Sequence, residues 1–333
     1  MTVAVVILNW NGEAHLRTFL PSVVAHSAAA AIVVADNGST DGSAAYVASV
    51  PRVRWLALRQ NWGFAEGYNR ALAQVEAEAF VLLNSDVRVT AGWLDAPLAK
   101  LRTDDRVAAL QPKVLAQARP THFEYAGASG GYVDALGYPY CRGRIFDTVE
   151  RDEGQYDDAV EVDWATGCCL FFRASAYREL GGLDGTYFAH MEEIDLCWRA
   201  RRAGYTCWVT PESVVYHLGG GTLHYSSPRK TELNFRNSLA TLLENEPGWR
   251  GPAKVSARLL LDGVAGAKFL LAGDWRQLPA IARAHWSFFG RVARGRLRRG
   301  SRGGSVRSRG PSRSILWDYY ARGRRVFSRL GYT

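Results

Sequence analysis

Asn84 and Asp86 stand two positions apart where an apolar run ends in VLLNSDV. In an extended segment, residues so spaced project to one side. An amide and a carboxylate there can together hold a ribose and a divalent cation between phosphates. Three earlier apolar runs end in comparable groups. LNWNG sets Asn9, Trp10 and Asn11 after the first run, with the Trp10 ring as a stacking face for a base. ADNGSTDGS sets Asp36 after the second, a carboxylate able to accept from a base N–H. NWGFAEGYNRAL, after the third, reads as a glycine-spaced helix start whose free N–H groups can approach a diphosphate. A conformational reading competes: Asn37 to Asp41 are turn and cap residue types. Further on, His190-Met191-Glu192-Glu193-Ile194-Asp195 opens an amphipathic stretch. Carboxylates at a helix start are favoured by the helix dipole without any chemistry. Asp195 also precedes Arg199 by four residues, the spacing of a helix ion pair.

These groups need a frame that gathers strand ends. Short apolar runs alternate with amphipathic stretches up to about residue 115, which predicts strands at 3–8, 31–35, 53–58, 79–84 and 107–114. Helices are expected between them, near 13–26, 41–49, 65–77 and 91–101. The fold class is therefore α/β, a mostly parallel, Rossmann-like sheet flanked by helices, in which ligands sit beyond the carboxyl ends of the strands. From 116 to 160, Gly, Tyr and acids without periodicity predict a long loop or irregular hairpins. The run 160–172 reads as a strand, 174–180 and 192–203 as helices, 205–209 as a strand and 229–246 as a helix. Val255 to Leu271 is apolar, but Arg258, Asp262 and Lys268 interrupt it, which argues against a membrane span. It reads instead as an amphipathic surface helix, with Phe288 and Phe289 continuing its apolar side.

Composition narrows the class. A chain of 333 residues that is 47% hydrophobic and 22% charged is not a disordered one. Five cysteines without CxxC spacing, and no signal-peptide pattern ahead of the first strand, predict reduced thiols and a cytoplasmic setting. Residues 291–333 hold thirteen Arg and one acid, Asp318, so this tail carries +12 of a net +9 and the remainder is acidic. Such a run can lie along an anionic membrane surface. The expected division is a unit over 1–245, with a nucleotide-binding half at 1–115 and an acceptor and catalytic half at 116–245. An amphipathic helical extension over 246–290 follows, then a basic, partly flexible tail over 291–333 whose removal should spare the fold.

VAVVILNWNG, VVADNGSTDGS, NWGFAEGYN, LLNSDV and the later GCCLFFRASAYRELGGLDGTYFAHMEEIDLCWRARRAGY resemble the ordered motif set of glycosyltransferase family 2, of the GT-A fold, over about residues 1–245. Within that family the chain is most similar to rhamnosyltransferase-type enzymes of bacterial surface polysaccharides. The resemblance implies inverting transfer of rhamnose or another hexose from a nucleotide diphosphate sugar to an acceptor hydroxyl. The implied acceptor is a glycan or lipid-linked glycan at the inner face of the cell membrane, and the implied cofactor is Mg²⁺ or Mn²⁺. Leu8, Asn9 and Trp10 match base-contacting positions, Asp36 the acid that pairs with the base, and Asn61, Gly63 and Ala65 the segment along the nucleotide. Asn84 and Asp86 match the DxD-type motif, with Asn replacing its first Asp, which leaves Asp86 as the main carboxylate ligand. His217, before three glycines in VVYHLGGGT, matches the histidine that joins that aspartate at the metal, the glycines letting a loop close over the diphosphate.

The acidic cluster matches the family's ED motif, which supplies the base that an attacking hydroxyl requires. Glu193 stands at the expected aspartate, Glu192 is an alternative by reach, and Asp195 belongs to the same cluster. Asp163, Trp164 and Gly167 match an acceptor-side segment, and Trp164 can stack on a sugar ring. Phe235, Arg236 and Asn237 lie on the following helix, where Arg236 is expected to meet acceptor phosphate, as Arg229 and Lys230 are expected to help neutralise the diphosphate. A nucleic-acid-binding protein using the basic tail would show a recognition motif with interleaved aromatics, and none is present, so no specific nucleic acid is expected. A sugar nucleotidyltransferase predicts a Gly-rich, Arg- or Lys-bearing loop after the first strand, where NWNGEAH stands.

Overall fold

The computed structural model describes residues 1–219, 227–297, 306–310 and 313–331. The chain runs β1 (Val3–Asn9), α1 (Glu13–His26), β2 (Ala31–Asp36), α2 (Ser43–Ala48), β3 (Val53–Ala57), α3 (Gly63–Leu72), β4 (Ala79–Asn84), β5 (Val87–Val89), α4 (Asp95–Thr103) and β6 (Val107–Ala116). Strands β7 (Arg119–Phe123), β8 (Gly131–Val133), β9 (Pro139–Cys141), β10 (Arg144–Ile145), β11 (Thr148–Val149), β12 (Val160–Val162) and β13 (Cys169–Arg173) follow. Then come α5 (Ala174–Glu179), α6 (Glu192–Arg202), β14 (Thr206–His217), α7 (Pro228–Asn245), α8 (Arg250–Leu271) and α9 (Gln277–Ala293).

The main sheet has the order β12-β14-β6-β13-β4-β1-β2-β3. β4, β1, β2 and β3 are parallel neighbours, whereas β13 runs antiparallel between β4 and β6. β1 and β4 are apolar and buried along almost their whole length, as strands covered by helices on both faces must be. The five strands and four helices expected before residue 115 all form, although α3 ends five residues short of its expected end and α4 starts four residues late.

Later expectations change. The predicted strand over 160–172 splits into β12 and β13, because residues 163–168 leave the sheet and Asp163 and Trp164 bond elsewhere. The strand expected at 205–209 continues to His217 and passes Pro211 at a register shift between Thr210 and Val214, the kind of bulge that tolerates a proline. The stretch expected to be a long loop or irregular hairpins contains an antiparallel sheet of order β11-β10-β9-β8.

Part of the basic tail lies outside the described residues; residues 313–331 dock on and beside that small sheet, and Arg307 and Arg309 bond Arg201, Glu161 and Asp163. Phe327 stacks on Tyr132 at 5.4 Å and meets Tyr156 edge-on at 5.6 Å, and Tyr319 meets Phe146 at 5.0 Å. Carboxylates of the body receive the tail's backbone: Arg309 N–H donates to buried Asp163 (2.8 Å), Ile315 N–H to buried Asp134 (2.9 Å) and Phe327 N–H to half-buried Glu150 (3.0 Å). Asp318, also buried, pairs with Arg313, Arg322 and Arg324. The described tail is thus an integral layer, contrary to the expectation that its removal would spare the fold.

Candidate functional site

The ends of β1 and β2 are tied by their own polar side chains. Asn9 is fully buried, and its Nδ2 donates to Asp36 Oδ1 (3.4 Å) and Ser39 Oγ (3.1 Å). Asp36 Oδ2 accepts from Ser39 N–H at 3.1 Å, so this carboxylate also caps its own turn. Leu8 is half-buried against Gly67, while the Trp10 ring stands 47% exposed beside the strand ends. Asn37, which sequence reasoning treated only as a turn residue, is a central tie. Its N–H donates to Asn9 O, its Nδ2 to Gly63 O (3.0 Å) and Asn61 Oδ1 (3.2 Å), and its Oδ1 accepts from Trp62 N–H (3.0 Å).

The start of α3 differs from expectation. Gly63 has φ +77°, and a Cβ there would fall 2.5 Å from the Phe188 ring. The first-turn N–H groups expected to be free for a diphosphate are taken: Phe64 and Ala65 both donate to Phe188 O, at 2.6 and 3.3 Å. Ala65 itself is fully buried. This segment locks the start of α3 to the loop before α6.

Antiparallel pairing of β5 with β14 brings Asp86 beside His217. His217 Nε2 lies 3.2 Å from Asp86 Oδ1 and 3.5 Å from Asn84 Nδ2, while its Nδ1 lies 3.3 Å from Glu124 Oε2. All but Asn84 are buried. Burial works to raise the Asp86 pKa, but the His217 hydrogen bond and charge, with His15, hold it below the ordinary value. Burial likewise works to lower that of His217, yet Cys168, Asp86 and Glu124 hold it well above the ordinary value. One carboxylate oxygen and one imidazole nitrogen facing each other, with remaining positions left to diphosphate oxygens and water, fit a Mg²⁺- or Mn²⁺-type ion that keeps an incomplete protein shell, provided that the cation displaces the His217 Nε2 proton. Glu124 on the far ring nitrogen is the kind of partner that fixes a ligating histidine's orientation. Sequence reasoning missed it, since Glu124 lies in a stretch without periodicity. Of the three glycines after His217, Gly220 and Gly221 lie outside the described residues.

The three acids of the α6 start have different surroundings. Asp195 is fully buried, bonded to Arg199 Nε (2.8 Å) and Asn245 Nδ2 (2.8 Å), and this removes it from the candidates for a base. Arg199 also donates to the carbonyls of Leu180 and Gly182. Glu192 and Glu193 each keep a buried Oε2 without a hydrogen-bond partner. Burial and the neighbouring Glu193 charge push Glu192 well above the ordinary range. Burial pushes Glu193 up to about 7, opposed by N–H groups of Glu193, Ile194 and Gly167. In such a pair, Glu193 ionises first and Glu192 keeps its proton. A Cβ on Gly167 would lie 3.7 Å from the Glu193 side chain, and the next residue's carbonyl, that of Cys168, accepts from Asn84 N–H at 2.9 Å. One short segment therefore joins Glu193 to the Asn84–Asp86 strand end.

The loop ahead of α6 is strained: Phe188, His190 and Met191 have φ of 68°, 71° and 74°. Two α7 residues hold it. Asn237 Nδ2 lies within 3.1 Å of the carbonyls of Tyr187, Ala189 and His190, and Arg236 donates to Tyr187 O (2.8 Å) and Thr186 O (3.3 Å). Arg236, expected at an acceptor phosphate, is thus engaged as a loop clamp. Burial pushes His190 down to about 4, with the Lys230 charge adding to the effect. Asp163 is sequestered too, bonded by Arg201 (2.6 Å), Val133 N–H (2.9 Å), Ser308 and Arg309. Trp164 is buried, donates to Tyr132 O and packs on Gly131, which makes it core and removes it as a sugar platform.

The model of glycosyl transferase family 2 matches residues 4–181. An N-acetylglucosaminyl-diphospho-decaprenol L-rhamnosyltransferase of Mycobacterium tuberculosis is 28% identical over 271 residues, covering 76% of this chain and 88% of that protein. Among solved structures, S. aureus TarS 1-349 in complex with UDP-GlcNAc aligns with a TM-score of 0.57 at 17% identity, over 88% of this chain and 82% of that one. The mannosyltransferase PcManGT from Pyrobaculum calidifontis, in complex with GDP-Man and Mn²⁺, aligns with a TM-score of 0.53 at 14% identity, over 86% of each chain.

Proposed function

This chain belongs to glycosyl transferase family 2, a nucleotide-sugar glycosyltransferase of the GT-A fold, and from that premise we propose an inverting hexosyltransferase with Glu193 as its base. The donor is a nucleoside diphosphate sugar, with L-rhamnose the first sugar to try, and the acceptor is a hydroxyl of a lipid-linked glycan presented at the cytoplasmic face of a membrane. Similarity to the decaprenol-linked rhamnosyltransferase supports both choices.

The acceptor oxygen attacks the anomeric carbon, its proton passes to the Glu193 carboxylate, and the bond to the diphosphate oxygen breaks on the opposite face. A single displacement inverts the configuration. A divalent cation held by Asp86 and His217 would act as a Lewis acid for the departing diphosphate. Trp10 offers its exposed ring to the base, Asp36 its remaining acceptor capacity, and Asn84 its amide to the ribose or phosphates. Asn9, Asn61, Gly63 and Ala65 shape the pocket wall through the ties described above. The working units are a transferase domain over 1–245 and a helical extension over 246–290.

The observation that carries this reading is Glu193, a half-buried carboxyl pushed up to about 7, with one oxygen unpartnered and Gly167 linking it to the Asn84–Asp86 strand end. A base with its pKa near the working pH transfers protons most effectively, an effect of roughly 10²- to 10⁴-fold. Glu193→Gln is expected to lose turnover by about that factor while donor affinity, read by calorimetry with Mg²⁺ or Mn²⁺, stays within about twofold. An undiminished rate in that variant would reassign the base.

A further inference from the structure

The polarity of α8 is inverted. Its buried stripe includes Arg258 and Asp262, which find partners inside the protein: Arg258 donates to Ser238 Oγ (3.0 Å) and lies over the Tyr138 ring, and Asp262 meets His285 at 2.9 Å. The opposite face, through Ala253, Leu260, Val264, Ala267 and Leu271, carries no charge and is open, with Leu260 77%, Val264 65% and Leu271 90% exposed. Those spacings keep one side of a helix for about 27 Å. The neighbouring helix repeats the arrangement. On α9, Phe288 is buried, contrary to the expected outward pair, while Ala282, Trp286 (84% exposed), Phe289 and Ala293 face out. Trp249 and Trp275 flank α8 at its two ends, both exposed, and Lys268 bonds Tyr320 (3.0 Å), which brings exposed Trp317 and Tyr320 alongside.

We propose that the outward faces of α8 and α9, with Trp317, are a docking surface that seats the protein on an anionic lipid bilayer. This deepens the reading of a membrane-borne acceptor and rests on it. Charge selects this occupant. Over 247–297 no acid is exposed, since Asp262 is buried and Asp274 half-buried, whereas Arg250, Lys268, Arg276, Arg283 and Arg294 are exposed around the apolar stripe. An apolar face rimmed by cations and tryptophans suits the headgroup boundary. No described helix is long and apolar enough to cross a membrane, so this face lies on the bilayer. The arginine-rich tail, first expected to make this contact, spends Arg309, Arg313, Arg322 and Arg324 on internal carboxylates.

Flotation of the full chain with phosphatidylglycerol–phosphatidylcholine vesicles tests this, against pure phosphatidylcholine and against a Leu260→Asp/Val264→Asp variant. Both substitutions are at exposed positions, so unchanged thermal unfolding is expected. The wild type should float with the anionic vesicles, in part even at high salt, and the variant should bind at least about tenfold more weakly. Its turnover of a water-soluble acceptor should match the wild type, which separates loss of docking from loss of the transferase reading. Undiminished flotation of the variant overturns the proposal. So does a wild-type dimer in solution that this variant converts to a monomer while neither form floats, since the face would then cover a second copy.

Discussion

A carboxyl can serve as a base near neutrality only if its surroundings make ionisation costly, and burial does this for Glu193. The rate should therefore rise with pH through about 7 and level above it, read as kcat/KM with a donor whose own ionisation is complete. Stability should run the other way. The folded-state value lies above the ordinary 4.5, so the contribution is complete below 4.5 and is lost as pH rises through about 7. The wild type should lose roughly 3 kcal/mol across that window, and Glu193→Gln should flatten the slope in denaturant titrations at several pH values. Some of this scale was legible in the sequence. The Asp195–Arg199 spacing already predicted an ion pair, and the strand-end motifs located Asp86. Asn37 and Glu124 were not legible, because each is defined by a partner far along the chain: Asn37 by Gly63, Glu124 by His217.

At the scale of elements, the positive-φ turns of Phe188, His190 and Met191 carry two connections at once. Phe188 O closes the start of α3, and Met191 leads into the helix that bears Glu193. Such backbone persists only when its surroundings over-determine it, and Asn237 supplies three carbonyl contacts. Asn237→Ala should cost about 1–3 kcal/mol of stability. It should lower kcat by roughly tenfold or more, as displacement of a base does, while donor Kd changes little. A parallel fall in stability with kcat intact would show that the clamp serves folding alone. Periodicity disclosed the strands and helices on either side of this loop, but not its strain. A short run of Phe, Ala, His and Met carries no glycine to announce left-handed backbone.

For the whole molecule, charge counting misled where pattern counting succeeded. Thirteen arginines in 43 residues read as a solvated or lipid-facing tail, yet two of the carboxylates that receive its backbone, Asp134 and Glu150, stand in a stretch with no periodic signal and the third, Asp163, in a run that read as an ordinary strand. Ile315, Phe327 and Leu330 are buried with it. Removing residues 306–333 uncovers their sites and leaves Asp134 and Asp163 short of donors, which should cost on the order of 5 kcal/mol. Truncated protein should unfold at clearly lower temperature in calorimetry, and unchanged unfolding would refute the docked arrangement.

The same contact has a direction in time. Asp134, Glu150 and Asp163 leave the ribosome well before residues 306–331, so until those emerge these carboxylates hold only part of their final set of donors: Leu136 and Tyr138 N–H on Asp134, Arg201 and Val133 N–H on Asp163, and the Tyr156 hydroxyl on Glu150. The second sheet is then expected to close last, and synthesis that stops short of the tail should yield a protein whose β1–β4 strands are folded but whose second sheet is open.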